Sequence, residues 1–196
     1  SRGLGDVYKR QTPGHVDFSA EMERTLQVLD YAILVVSGAD GVQGHTRTLW
    51  NLLARYQVPT FIFINKMDQD GTDRQDRLTE LKRKLSGECV DFTEAGEEFL
   101  EELSMCDETV MESYLENGEI TASQIQTLIR ERKVFPCYFG SALKLEGVQE
   151  LLDGLGKYMD GSVSGTHAEE AFGKEELIYK DLQRHIPKIR KALKKK

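Results

Sequence analysis

Four prolines and three cysteines are all that the 196 residues contain of these two types. So few prolines exclude an extended proline-rich linker. Cys89, Cys106 and Cys137 are odd in number, widely spaced and without a C-x-x-C pair. They therefore read as reduced thiols of a cytoplasmic protein, with no zinc site and no disulfide framework. No apolar run approaches the roughly 20 residues that span a bilayer. The N-terminus lacks the apolar stretch of a secretory signal. Lysine and arginine are absent between Leu85 and Ile129, where twelve acids run from Glu88 to Glu119. From Lys180 to Lys196 the sign reverses, with eight bases against the single Asp181. Such runs form solvated faces or tails, and the basic one could instead grip RNA phosphates. What is present, 39% hydrophobic and 30% charged residues, suits a soluble globular domain with one core.

The pattern along the chain divides it in three. Residues 1–11 (SRGLGDVYKRQ) show neither helical nor strand period and resemble a translated sequencing adapter, so they read as a non-native leader. From Thr12 to about Asp160, apolar strands alternate with amphipathic helices. Tyr31 to Ser37 and Thr60 to Asn65 are nearly continuous apolar runs, as expected of parallel strands covered on both faces. Between them, Leu49, Leu52, Leu53 and Tyr56 recur at helical spacing, which completes a βαβ unit. Val134 to Phe139 is a third strand, and Pro136 places it at the sheet edge, where a missing N–H costs least. An acidic helical insertion, about residues 86–133, precedes it; Asn117-Gly118 stops one helix and Thr121 with Gln124 caps the next. A last helix, about Val148 to Met159, carries Val148, Leu151, Leu152, Leu155 and Met159 on one stripe. Residues 161–196 read as a linker and a basic helical tail interrupted by Pro187.

Three short motifs follow strands, or the place for one, and ligands of open α/β sheets bind at the carboxyl ends of strands. In Asn65-Lys66-Met67-Asp68, the Asp68 carboxylate can accept from the guanine ring N–H and exocyclic amine. Adenine offers neither donor there, so Asp68 would be left unpaired against it. The Asn65 amide can tie this loop to its neighbours, and the Lys66 stem can lie across the base. Ser141-Ala142-Leu143 forms a small-residue turn whose backbone N–H can donate to the guanine carbonyl. In Thr12-Pro13-Gly14-His15, Gly14 leaves its N–H free to meet a terminal phosphate. His15 can then orient an attacking water. Each motif alone has a bland counterpart: a strand-exit turn, a chance tripeptide, a surface histidine.

Taken together and in this order, they resemble the third, fourth and fifth guanine-nucleotide motifs of translational GTPases. Thr12 to His15 with Val16-Asp17-Phe18 is similar to the switch segment of elongation factor G and its relatives, and Asp40-Gly41-Val42-Gln43 extends the likeness. Phe92-Thr93-Glu94 and Phe135-Pro136-Cys137-Tyr138 resemble the ribosomal protection proteins that confer tetracycline resistance. The resemblance covers about Thr12 to Met159. It implies an α/β G domain, with a mostly parallel sheet flanked by helices, that binds GTP or GDP with Mg2+. In intact form it implies a cytoplasmic monomer that hydrolyses GTP on the ribosome, with rRNA and ribosomal proteins as partners and neither DNA nor membrane among them. It assigns water positioning to His15, nucleotide contacts to Thr12, Pro13 and Gly14, and guanine recognition to Asn65, Lys66, Asp68, Ser141, Ala142 and Leu143.

The departures are as informative. No G-x-x-x-x-G-K-[ST] occurs, so the phosphate-cradling loop, the magnesium-binding hydroxyl and the first strands are missing from this sequence. Gln11 stands where the family has an aspartate. A truncated, catalytically inert domain with an exposed apolar sheet edge is the expectation. The alternative is a non-enzymatic fragment that binds a partner or RNA through its acidic insertion or basic tail.

Overall fold

The computed structural model of the chain describes residues 26–159, apart from 28 and 95. The elements run β1 (Ala32–Ser37), α1 (Gly44–Arg55), β2 (Thr60–Asn65), α2 (Arg74–Lys84) and β3 (Cys89–Asp91). Then come α3 (Glu97–Ser104), α4 (Glu108–Asn117), α5 (Ala122–Arg130), β4 (Phe135–Phe139) and α6 (Val148–Tyr158). The sheet order is β1-β2-β4-β3, and every pairing is parallel. This is the α/β architecture expected from the motif pattern, with helices on both faces.

Alternation of side chains along each strand creates two apolar layers. On one face Leu34, Val36, Ile62, Ile64, Cys137 and Phe139 pack with Trp50 of α1 and with Leu78 and Leu81 of α2. On the other, Phe61, Phe63 and Tyr138 meet Leu103, Val110, Ile125, Leu128 and Leu151 from α3 to α6. Local sequence sets the helix ends. The Asp107 side chain accepts from the Thr109 and Val110 amides at the start of α4, and Gly118 closes that helix at φ 70°. Thr121 and Gln124 cap α5 reciprocally, as their spacing predicts. Asp73 caps α2, whose last turn carries Lys82, Arg83 and Lys84 against the negative end of its dipole.

Three features differ from the reading of the sequence. The strand containing Pro136 is internal, lying between β2 and β3. Phe135 N donates to Glu88 O and Phe92 N to Cys137 O, while Gly140 N donates to Ile64 O. Odd positions of β4 thus face β3 and even ones face β2, and the β2 ladder begins only at Ile62 opposite Cys137. The N–H that Pro136 lacks would point toward β2 just before that ladder starts, so the proline interrupts nothing. Arg132 reaches into this same place, donating to Val58 O and to Thr60 Oγ1 (3.1 Å). Secondly, the acidic insertion contains a strand. Cys89–Asp91 forms β3 at the sheet margin, too short to show a period in the sequence. Thirdly, among the described residues β1 is covered on one face only: Leu34 and Val36 are buried, whereas Ile33 and Val35 are 47% and 58% exposed. Ile33 and Val35 share the face of their partners Phe61 and Phe63, where α5 and α6 cover β2 and β4 but, among the described residues, nothing covers β1. No helix among the described residues is long and apolar enough to cross a membrane.

Candidate functional site

The neighbouring strands β2 and β4 end together, with Ile64 opposite Phe139. Their exit turns are therefore brought side by side, and specific backbone bonds lock them: Gly140 N donates to Ile64 O (2.9 Å) and Met67 N to Gly140 O (3.0 Å). Asn65 is the hub. Its Oδ1 accepts from Lys66 N at 2.8 Å and from Ala142 N at 2.9 Å. Its backbone carbonyl accepts from Gly38 N at 2.6 Å, which joins the turn after β1. Three strand exits, after β1, β2 and β4, thus meet at one asparagine. Lys66 holds φ 64°, a left-handed conformation rare for lysine, which the Asn65 bond supports.

The second turn is built for close approach. Ser141 and Glu146 exchange backbone bonds of 3.0 and 3.1 Å, forming a small loop around Ala142 to Leu145. A Cβ on Gly140 would lie 2.0 Å from the Glu146 carbonyl oxygen, so only glycine fits there. Ser141 is buried, whereas Leu143 is 91% exposed at the loop tip. Asp68 faces this loop. The Ser141 hydroxyl, with the Lys144 ammonium 3.3 Å away, holds the Asp68 carboxyl below the usual carboxylate range, against the opposing effect of partial burial. Asp68 is therefore charged at neutral pH, and it stands beside turn amides on a strand end.

Beside this lies a cavity of about 500 Å³, lined among others by Ser37, Asp40, Gln43, His45, Asn65 and Lys66. Its wall, the Asp40–Gln43 loop, is tied down from α2. Glu80 Oε1 accepts from Val42 N (3.3 Å) and Lys84 Nζ donates to Val42 O (3.4 Å). Glu80 itself is bonded at 2.5 Å to both Lys84 and Arg77. Partial burial raises the Glu80 pKa, but Lys84, the Val42 N–H and Arg77 outweigh it and keep the carboxylate charged. Gly41, at φ 68°, rests directly on this ion triad.

Of the residues singled out in the sequence, Asn65, Lys66, Asp68, Ser141, Ala142 and Leu143 are gathered around two adjoining turns, with Leu143 at the outer tip. Thr12, Pro13, Gly14 and His15 lie outside the described residues. Sequence reasoning missed Gly38, Gly140, Glu80 and Lys144. The two glycines each directly follow a strand, which was a usable signal; Glu80 and Lys144 carry none, because only tertiary packing gives them their partners.

Parallel strands with their exit turns interlocked at the carboxyl end define an α/β domain of the G-domain type. The particular family is given by comparison of sequences: the chain belongs to the elongation factor Tu GTP binding domain family, whose model matches residues 11–160. It is 30% identical over 198 aligned residues to elongation factor G 2 of Geobacter metallireducens (strain ATCC 53774 / DSM 7210 / GS-15), covering 76% of this chain. Among solved structures it is similar to the protein ttk003000868 of Thermus thermophilus, with a TM-score of 0.63, 22% identity and 75% of this chain covered. The chain spans 29% of the length of each of these two relatives.

Proposed function

We propose that the chain is the guanine-recognising part of a translational GTPase of the elongation factor G kind, which in intact form hydrolyses GTP on the ribosome in the cytoplasm. The observation that carries this reading is the junction of two turns: Asn65 binds the Ala142 amide, and charged Asp68 faces Ser141 and Lys144 of the same loop. A purine set between them would meet a carboxylate on its N–H edge and a backbone donor on its carbonyl. The Lys66 stem is poised beside the cavity for the base face. In this reading Gly14 meets the γ-phosphate and His15 positions the water, with Thr12 and Pro13 shaping that segment. Magnesium belongs to the family's chemistry. Among the described residues no group of three or more acidic, histidine or cysteine side chains is placed to hold a metal ion.

The division into a leader (residues 1–11), a GTP-binding domain (12–160) and a linker with a basic tail (161–196) follows the family match, which runs over residues 11–160. Within the superfamily, Phe92-Thr93-Glu94 and Phe135 to Tyr138 favour the tetracycline-resistance ribosomal protection branch. Rescue of ribosomal translation from tetracycline by the longer protein would test that branch. The alternative, binding of RNA by the basic residues between Lys188 and Lys196, predicts affinity that falls steeply with salt and vanishes when they are deleted.

Equilibrium binding of GDP and ADP to the full chain tests the reading. GDP is expected to bind more tightly, and Asp68→Asn to remove the preference. Equal affinities in the unmodified chain would overturn it.

A further inference from the structure

The Asp68 carboxylate already has a cation. Lys144 Nζ lies 3.3 Å from Asp68 Oδ2, with the lysine side chain 52% exposed and the aspartate side chain 18% exposed. The root of that lysine is fixed by the turn. Its own amide faces Ser141 Oγ at 3.4 Å, and the Ser141–Glu146 bonds close the loop around it. The stem beyond that root is half exposed to solvent. The same serine hydroxyl helps to hold the Asp68 pKa low, so Ser141 stands beside both the lysine root and the carboxylate. Guanine presents two donors and needs both carboxylate oxygens, one of which faces the ammonium.

We propose that Lys144 is the counter-ion of Asp68 whenever guanine is not bound, and a determinant of purine selectivity. This rests on the guanine reading of Asp68. Lys144 yields to guanine, whose paired donors replace it. When adenine occupies the site there are no such donors, and Lys144 stays on Asp68. A carboxylate discriminates between bases because the wrong one strands its charge. Lys144 relieves that stranding, so it softens the discrimination that Asp68 alone would impose. The lysine acts through the aspartate and is a positioning and tuning residue, without a role in bond making.

The test is a set of nucleotide titrations of the full chain, followed by amide chemical shifts, with GDP and ADP as the probes. Lys144→Met keeps the stem and removes the charge. It is expected to raise the ratio of ADP to GDP dissociation constants by about two- to five-fold, the scale of an exposed ion pair. In the Asp68→Asn background the same change is expected to have no effect, which a merely structural role for Lys144 would not produce. A ratio that is unchanged or lower in Lys144→Met, in a chain that does prefer GDP, would overturn the proposal alone. If the unmodified chain shows no GDP preference, the guanine reading fails and this inference falls with it. Should Lys144→Met shift the unfolding midpoint, Lys144→Gln gives the same charge loss with a polar tip and is read by the same ratio.

Discussion

Removing the Asn65 amide should loosen the base site more than it weakens the fold. In Asn65→Ala, the Lys66 and Ala142 amides lose the oxygen they share at 2.8 and 2.9 Å. Each such bond contributes about 0.5–1.5 kcal/mol net, and both lie where water can partly replace them. A loss of about 1–2 kcal/mol in stability is therefore expected. Met67 N to Gly140 O and Gly140 N to Ile64 O remain, so the strand exits stay joined and the fold persists. The assay is urea denaturation followed by the fluorescence of Trp50, the single tryptophan, buried edge-on against Phe135 at 4.6 Å. With an m-value of about 1–3 kcal/mol/M, the midpoint should fall by on the order of 1 M. Asn65→Asp keeps the acceptor oxygens and should recover most of the midpoint, while its added charge near Asp68 weakens guanine binding. A midpoint moved by less than about 0.2 M in Asn65→Ala would refute the hub argument.

Arg132 lies over the rings of Trp50 (5.2 Å) and Phe135 (4.9 Å) while bonding Val58 O and Thr60 Oγ1, so Arg132→Ala should cost about 2–4 kcal/mol in the same denaturation assay. Bonding to Lys133 and Thr109 lowers the Asp107 pKa from 3.8 to about 2. Its contribution to stability is thus present above pH 3.8 and lost as pH falls toward 2, and Lys133→Met should flatten that part of the pH–stability curve. Burial, aided by Glu88 and Glu102, pushes the Cys106 thiol from 9.0 up to about 11. At pH 8 iodoacetamide should label it about a hundredfold more slowly than a free thiol, and mass spectrometry showing prompt labelling of native Cys106 would contradict this.

Three of the four strands, the Gly118 helix stop, the Thr121 cap and the two turns after β2 and β4 were legible because their signals are local. Thr60 to Asn65 is an unbroken apolar run, Thr121 and Gln124 make a capping box by spacing alone, and Gly118 ends a helix as glycine does. What escaped the sequence is set by partners far along the chain. Pro136 suggested an edge, yet its missing donor falls before the β2 ladder begins, a matter of register that no local pattern encodes. Three residues of β3 are too few for periodicity. The one-sided cover of β1 depends on which helices reach it, and Ile33 and Val35 look as apolar in sequence as the buried Phe61 and Phe63. Glu80 and Lys144 read as ordinary surface charges until the Val42 backbone and Asp68 are seen beside them.

The most direct measurement is a map of amide and carboxyl chemical shifts of the full chain as GDP is added. Purine recognition at the β2 and β4 exits predicts the largest changes at Lys66, Asp68 and Ala142, with little response to ADP at the same concentrations. Changes confined to other regions, or the same pattern for both nucleotides, would contradict the account.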